Sequence, residues 1–296
     1  LQRLAKMGFG DQGTTEAIVT EKRRKGARPK APSEGIAAED LLELRRACRH
    51  LEHPSLAARL SSVVGTPIEV GLNLLPRNWY NGLHRSADAA IIKALNTALS
   101  SMRREYEHSA HRRFYKAIAA GSGAVSGLVG LPGLLVELPV TTTLMLRSIA
   151  EIARDQGEDI HSDETRTACL EVFALGGRTE VDDAADTGYY GVRLVLSSYL
   201  TLATAQVSHP AILGEGAPVM VQFIQAVAAR FGSQLTTRAA ARVLPVIGAA
   251  AGATVNLIFM QHFQDMAHSH FTVRRLERQY GADLIQTNYE NIARVL

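Results

Sequence analysis

Apolar and polar positions along this chain recur at helical rather than strand spacing. In AAEDLLELRRACRHL (37–51), Leu41, Leu44, Cys48 and Leu51 fall three or four residues apart, with acids first and bases later. That spacing marks one apolar helix face, and that order of charge suits the helix dipole. The helical pattern runs from Ala37 to Val64 and is then broken in GTPIEVGLNLLPRNW by Pro67 and Pro76. A long helix is predicted over about 81–120. Another is predicted from Pro139 to about Gln156, because proline favours the first helical position. In HSDETRTACLEVFALGG, Ser162 or Asp163 is placed to cap a short helix over 165–175. Further helices are expected at about 188–207, 216–230, 232–266 and 268–280, with breaks at His209–Pro210, Gly214–Gly216 and Gly281. Alternation of β-branched residues is rare, so the predicted fold class is all-α.

Two stretches stand apart from this amphipathic pattern. Over residues 117–146, AIAAGSGAVSGLVGLPGLLVELPVTTTLML, the only charged side chain is Glu137; over 243–264, VLPVIGAAAGATVNLIFMQHFQ, there is none. Each reaches the roughly 20 residues a membrane span needs. Composition argues against permanent spanning: the first holds Gly121, Gly123, Gly127, Gly130, Pro132 and Gly133, and the second ends in Asn256, Gln261, His262 and Gln264. Small residues recur every four positions, at Ala119, Gly123 and Gly127 and, with Leu244 interposed, at Ala240, Gly248 and Gly252. Such a ridge lets helix backbones approach closely, in lipid or in a soluble core. The expected architecture is therefore a multi-helix bundle with two glycine-rich apolar helical hairpins packed centrally. Gly123, Gly127, Gly130, Gly248 and Gly252 are the expected close-packing positions.

Composition changes this picture little. The chain has 296 residues, 46% hydrophobic, with only 6% aromatic, which suits cores of Ala, Gly, Leu and Val. A net charge of +3 does not by itself indicate nucleic acid, and no nucleic-acid-binding motif supports it. Residues 20–35, TEKRRKGARPKAPSEG, carry six Lys or Arg with Pro and Gly. Residues 1–36 are expected to be a flexible basic arm, and 37–296 a single helical domain. Cys48 and Cys169 have no partner spacing, so neither a disulfide framework nor a zinc site is expected. The opening LQRLAKMGFGDQG has no secretory pattern.

Candidate chemistry is sparse. Glu137, just before Pro139, would sit near free N–H groups if that proline opens a helix. Arg147, Glu151 and Arg154 fall on one helix side as a solvated ladder, opposite Met145, Ile149, Ile152 and Ala153. His262, Asp265, His268 and His270 project at about 0°, 300°, 240° and 80° on one helix, which is not a common metal-binding face. His270, Arg274, Arg275 and Arg278 do share a face within about 140° and form a candidate basic surface. GSGAVSG and GAAAG lack the lysine of a phosphate loop. No metal or cofactor is expected. IARDQGEDI (152–160) and LERQYGADL (276–284) echo each other at Arg154/Arg278, Gly157/Gly281 and Asp159/Asp283.

The segments GSGAVSGLVGLPGLLVELPVTTTLMLRSIAEIARDQGED, CLEVFALGG, DTGYYGVR, LPVIGAAAGATVN and HFTVRRLERQYG, in this order from about Leu83 to Tyr289, resemble the EcsC family. That family is named for a protein encoded beside an ABC transporter, and the resemblance implies no catalytic residues. Its characteristic positions correspond to Gly130, Leu131, Pro132, Glu137, Thr142, Arg147, Pro245, Gly248, Asn256, His270, Phe271, Arg274 and Arg275. With the residue reading, it implies a non-enzymatic protein, cytoplasmic or peripheral at the inner membrane. Such a protein would bind anionic lipid or a membrane or transporter partner through Glu137, Thr142, Arg147, Asn256, His270, Arg274, Arg275 and Arg278. Two alternatives are an enzyme with a helical site near Glu137, His262 and His270, and a soluble interaction scaffold that forms homo-oligomers through its small-residue ridges.

Overall fold

Helix α1, Ala38–Glu52, buries the face the apolar spacing defines: Leu44, Cys48 and Leu51, joined by Ala47. In this computed structural model the described residues are 35–53, 56–76, scattered positions between 79 and 121, 131–175, 188–206, 218–243 and 249–296. Among them are helices and no strand. After α1 come α2 (Leu56–Val64), α3 (Ile68–Leu74), α4 (Leu131–Asp155) and α5 (Asp163–Glu171), which runs on as a 3-10 turn, Val172–Ala174. Then follow α6 (Tyr189–Gln206), α7 (Pro218–Val243), α8 (Ala249–Tyr280) and α9 (Ala282–Ala293). Residues 36–296 cluster as one body.

Helix α8 is the axis of this body, touching α1, α2, α4 and α9, while α7 packs on α3, α6 and the 3-10 turn and also meets α4 and α8. Phe173 from the 3-10 turn, Phe231 from α7 and Phe263 from α8 interlock where these elements meet. Their centroids lie 5.1 Å (173–231), 5.3 Å (173–263) and 5.6 Å (231–263) apart, and all three rings are fully buried. Gln234 of α7 donates to the carbonyls of Phe173 and Leu175 at 3.2 and 3.0 Å, which satisfies the end of the 3-10 turn.

Several sequence expectations hold locally. Ser162 caps α5, accepting from the Thr165 N–H at 3.1 Å. Met145, Ile149, Ile152 and Ala153 are fully buried, while Arg154 is exposed and Arg147 and Glu151 are half-buried. The echo of Gly157 and Gly281 is an echo of two helix stops. Gly157 (φ 80°) ends α4 with N–H bonds from Gly157 to Arg154 O and from Glu158 to Ala153 O. Gly281 (φ 93°) ends α8 with its N–H on Glu277 O. Both backbones occupy the left-handed region that glycine tolerates.

Three expectations change. Pro139 does not open a helix: α4 begins at Leu131 and carries Pro139 in its interior. The proline removes one helical donor, and three successive threonines that begin two residues later turn hydroxyls back onto the helix. Thr141, Thr142 and Thr143 donate to the carbonyls of Glu137, Leu138 and Pro139 at 3.2, 2.8 and 2.8 Å. Secondly, α7 runs unbroken through 231 and Gly232, and α8 through 267. Thirdly, an unpredicted helix, α9, follows Gly281.

The close approach of backbones expected of small residues is present at Gly71. A Cβ added to Gly71 of α3 would lie 2.2 Å from the Ala240 carbonyl oxygen of α7. Gly252 is buried in α8. Gly123, Gly127, Gly130 and Gly248 lie outside the described residues, as do residues 1–34 and most of 81–120.

Candidate functional site

The single carboxylate of the first uncharged stretch is buried rather than set at a helix start. Glu137, on the second turn of α4, is 7% exposed, and each of its oxygens meets an arginine of α7. Arg238 Nη2 donates to Oε1 at 2.7 Å and Arg242 Nη2 to Oε2 at 2.9 Å. The Thr141 hydroxyl adds a bond to Oε1 at 3.0 Å. Arg238 Nη2 also reaches Asn256 Oδ1 of α8 at 2.6 Å, and the Phe259 ring lies 4.8 Å from its guanidinium carbon. One cluster therefore joins α4, α7 and α8 and ties the two uncharged stretches together. Burial pulls the Arg238 guanidinium down to about 10, against the opposing pull of Glu137. A buried ion set of this kind positions helices more than it stabilises them, since desolvation offsets much of the attraction.

A second buried set lies further along α8. Tyr189 of α6 bonds His270 Nδ1 at 2.9 Å, and His270 Nε2 faces Glu171 Oε2 at 3.8 Å. That distance is too long for a hydrogen bond. Burial holds His270 well below its ordinary value, with Arg193 and Arg274 acting in the same direction. Burial also pushes the Glu171 carboxyl up to about 7, against the pull of Arg193 and Arg274. Below about pH 7 the pair is thus two neutral groups and not an ion pair. Beside it, Arg193 grips Glu277 through both oxygens at 2.7 and 3.1 Å, and Tyr190 donates to the same carboxylate at 2.8 Å.

The face expected to be basic is occupied. Arg274 donates to Glu158 at 2.8 Å and to Glu164 at 2.9 Å, Arg275 to Asp40 and Glu43 of α1, and Arg278 to Glu158 and to the Gln156 carbonyl. Burial pushes the Glu158 carboxyl up, but the bonds from Arg274 and Arg278 more than offset this and hold it below its usual range. These arginines fasten the end of α8 to α1 and to the turn after α4. His270, expected on the same face, points into the core at 0% exposure.

Of the remaining sequence-derived positions, Thr142 is buried and bonds within α4, and Arg147 is half-buried on it. His262 is buried, and burial, aided by Arg59, pulls it down to about 4. Glu137, His262 and His270 are not brought together. His262 and His270 are eight residues apart on one helix, about 12 Å of rise, and Asn256, which marks the level of the Glu137 cluster, is about 21 Å of rise from His270. Among the described residues no group of three His, Cys, Asp or Glu could hold a metal ion. Both cysteines are buried and free. Sequence reasoning missed Arg238 and Arg242. The available clue was their four-residue spacing in TTRAAAR, beside an uncharged stretch.

These features define an all-helical protein whose two uncharged stretches converge on a buried arginine–glutamate–asparagine cluster. Residues 43–276 match the model of the EcsC protein family, which is most of the chain, and the protein belongs to that family. The match opens within α1, earlier than the resemblance alone indicated. No curated protein and no solved structure matches the chain.

Proposed function

We propose that this protein works at the cytoplasmic face of a membrane without catalysis of its own, resting an apolar helix face on lipid or on a membrane partner such as a transporter subunit. The observation that supports this is the outer side of α4. Pro132, Val136 and Val140 recur every fourth residue and are exposed, Val136 at 81% and Val140 at 54%. Residues Pro132–Asp155 are long and apolar enough to cross a bilayer, yet 56% of the apolar window is buried inside the protein. A half-buried helix of that kind suits contact with a membrane surface better than a span. The separation of Glu137, His262 and His270 lends no support to an enzyme built on those three.

Flotation of the full chain with vesicles of neutral phospholipid, with and without anionic lipid, tests the reading. Recovery with vesicles is expected, and V136D/V140D should abolish it without lowering the melting temperature, because both valines already face out. Recovery near zero with both vesicle types, or an unaffected double variant, rejects the reading.

A further inference from the structure

The geometry points to an oxyanion-binding site at Arg238, of the phosphate class, that uses the guanidinium donors the protein itself leaves without acceptors. The Arg238 side chain is fully buried, at 0% exposure. Its Nη2 is engaged by Glu137 and Asn256, but Nε and both N–H groups of Nη1 meet no acceptor. Buried donors of this kind are rarely left unmet. The acceptors on hand are already shared. Glu137 gives one oxygen to each of two arginines, and Oε1 takes the Thr141 hydroxyl as well. Arg238 therefore lacks the two-oxygen grip that a guanidinium makes with a carboxylate of its own. A phosphate group brings several oxygens and negative charge, the two things Arg238 lacks, and arginine is the side chain whose fork matches it. The Phe259 ring lies against one face of the guanidinium, and a ligand oxygen would meet its N–H edges. The inference does not depend on the membrane reading, since free phosphate and a lipid headgroup present the same chemistry.

Equilibrium dialysis of the full chain with labelled inorganic phosphate, and thermal unfolding in phosphate against chloride at equal ionic strength, test the site. The wild type is expected to bind phosphate and to melt higher in it. N256D places a permanent carboxylate on the Arg238 side of the cluster. It should melt no lower than wild type in chloride and should bind phosphate at least about tenfold more weakly, ~1.4 kcal/mol. The proposal is overturned if wild type shows no preference for phosphate over chloride, if N256D binds it equally well, or if N256D melts well below wild type. Competition assigns the source. Displacement of bound phosphate by phosphatidate vesicles, but not by phosphatidylcholine vesicles, identifies a lipid headgroup. Bound phosphate indifferent to both identifies the free anion.

Discussion

Glu171 carries a titration that the surrounding fold makes measurable. Its folded-state pKa of about 7 lies above the ordinary 4.5, burial being the main cause. Arg193 from α6 and Arg274 from α8 pull it down, Glu164 and Glu277 push it up, and neutral His270 stands opposite. The folded state therefore holds a proton that the unfolded chain releases above about 4.5. Stability from this group is fully present at low pH and is lost as pH rises through about 7, in total on the order of 3 kcal/mol. E171Q keeps the shape without the charge. It should equal wild type at about pH 3.5 and exceed it by roughly 3 kcal/mol at pH 8. Urea unfolding at the two pH values checks this, and a gap that does not change with pH would mean that Glu171 ionises alike in both states. None of this was visible in the sequence, where Glu171 sits in TACLEVFALGG as one acid at a helix end. Its environment is supplied by α6 and α8, and pKa values respond to neighbours in space. Arg238 and Arg242 were hidden for the same reason, since their carboxylate lies about a hundred residues away in the chain.

At the scale of elements, the legible parts were those decided within one or two turns. The apolar face of α1, the Ser162 cap and the stops at Gly157 and Gly281 depend on neighbouring residues, and all were readable. Pro139 misled because a proline fits either a helix start or a helix interior, and only the preceding turn of α4, packed in place, decides which. The meeting of α3 with α7 is a tertiary fact: Gly71 sits against the Ala240 carbonyl, and nothing in IEVGLNL announces that partner. Alanine at 71 would gain up to ~1 kcal/mol in helix propensity but must push two backbones apart, which costs typically 1–3 kcal/mol. Gly82 has nothing within 4 Å of a built Cβ and provides the contrast. G71A should melt lower than wild type and G82A no lower. If G71A is neutral, α3 does not lie against α7.

For the molecule as a whole, the question is which charges are left to meet a membrane. On sequence, Arg274, Arg275 and Arg278 formed a basic stripe of the sort that attracts anionic lipid. In the fold they answer Glu158, Glu164, Asp40 and Glu43, so the stripe closes the body instead of advertising it. The proposed membrane attachment through α4 and stability through the α8 arginines should then separate in two variants. Arg274 is 13% exposed at its side chain and its partner Glu158 6%. R274Q removes one of the two guanidinium groups on a buried carboxylate, and a loss of about 1–3 kcal/mol is expected. Its recovery with vesicles, measured well below its melting temperature, should match wild type. V136D/V140D should show the opposite pattern, normal melting with recovery lost. An R274Q protein that melts normally but no longer floats with anionic vesicles would place that guanidinium against lipid rather than against Glu158, and would return the basic stripe to the membrane.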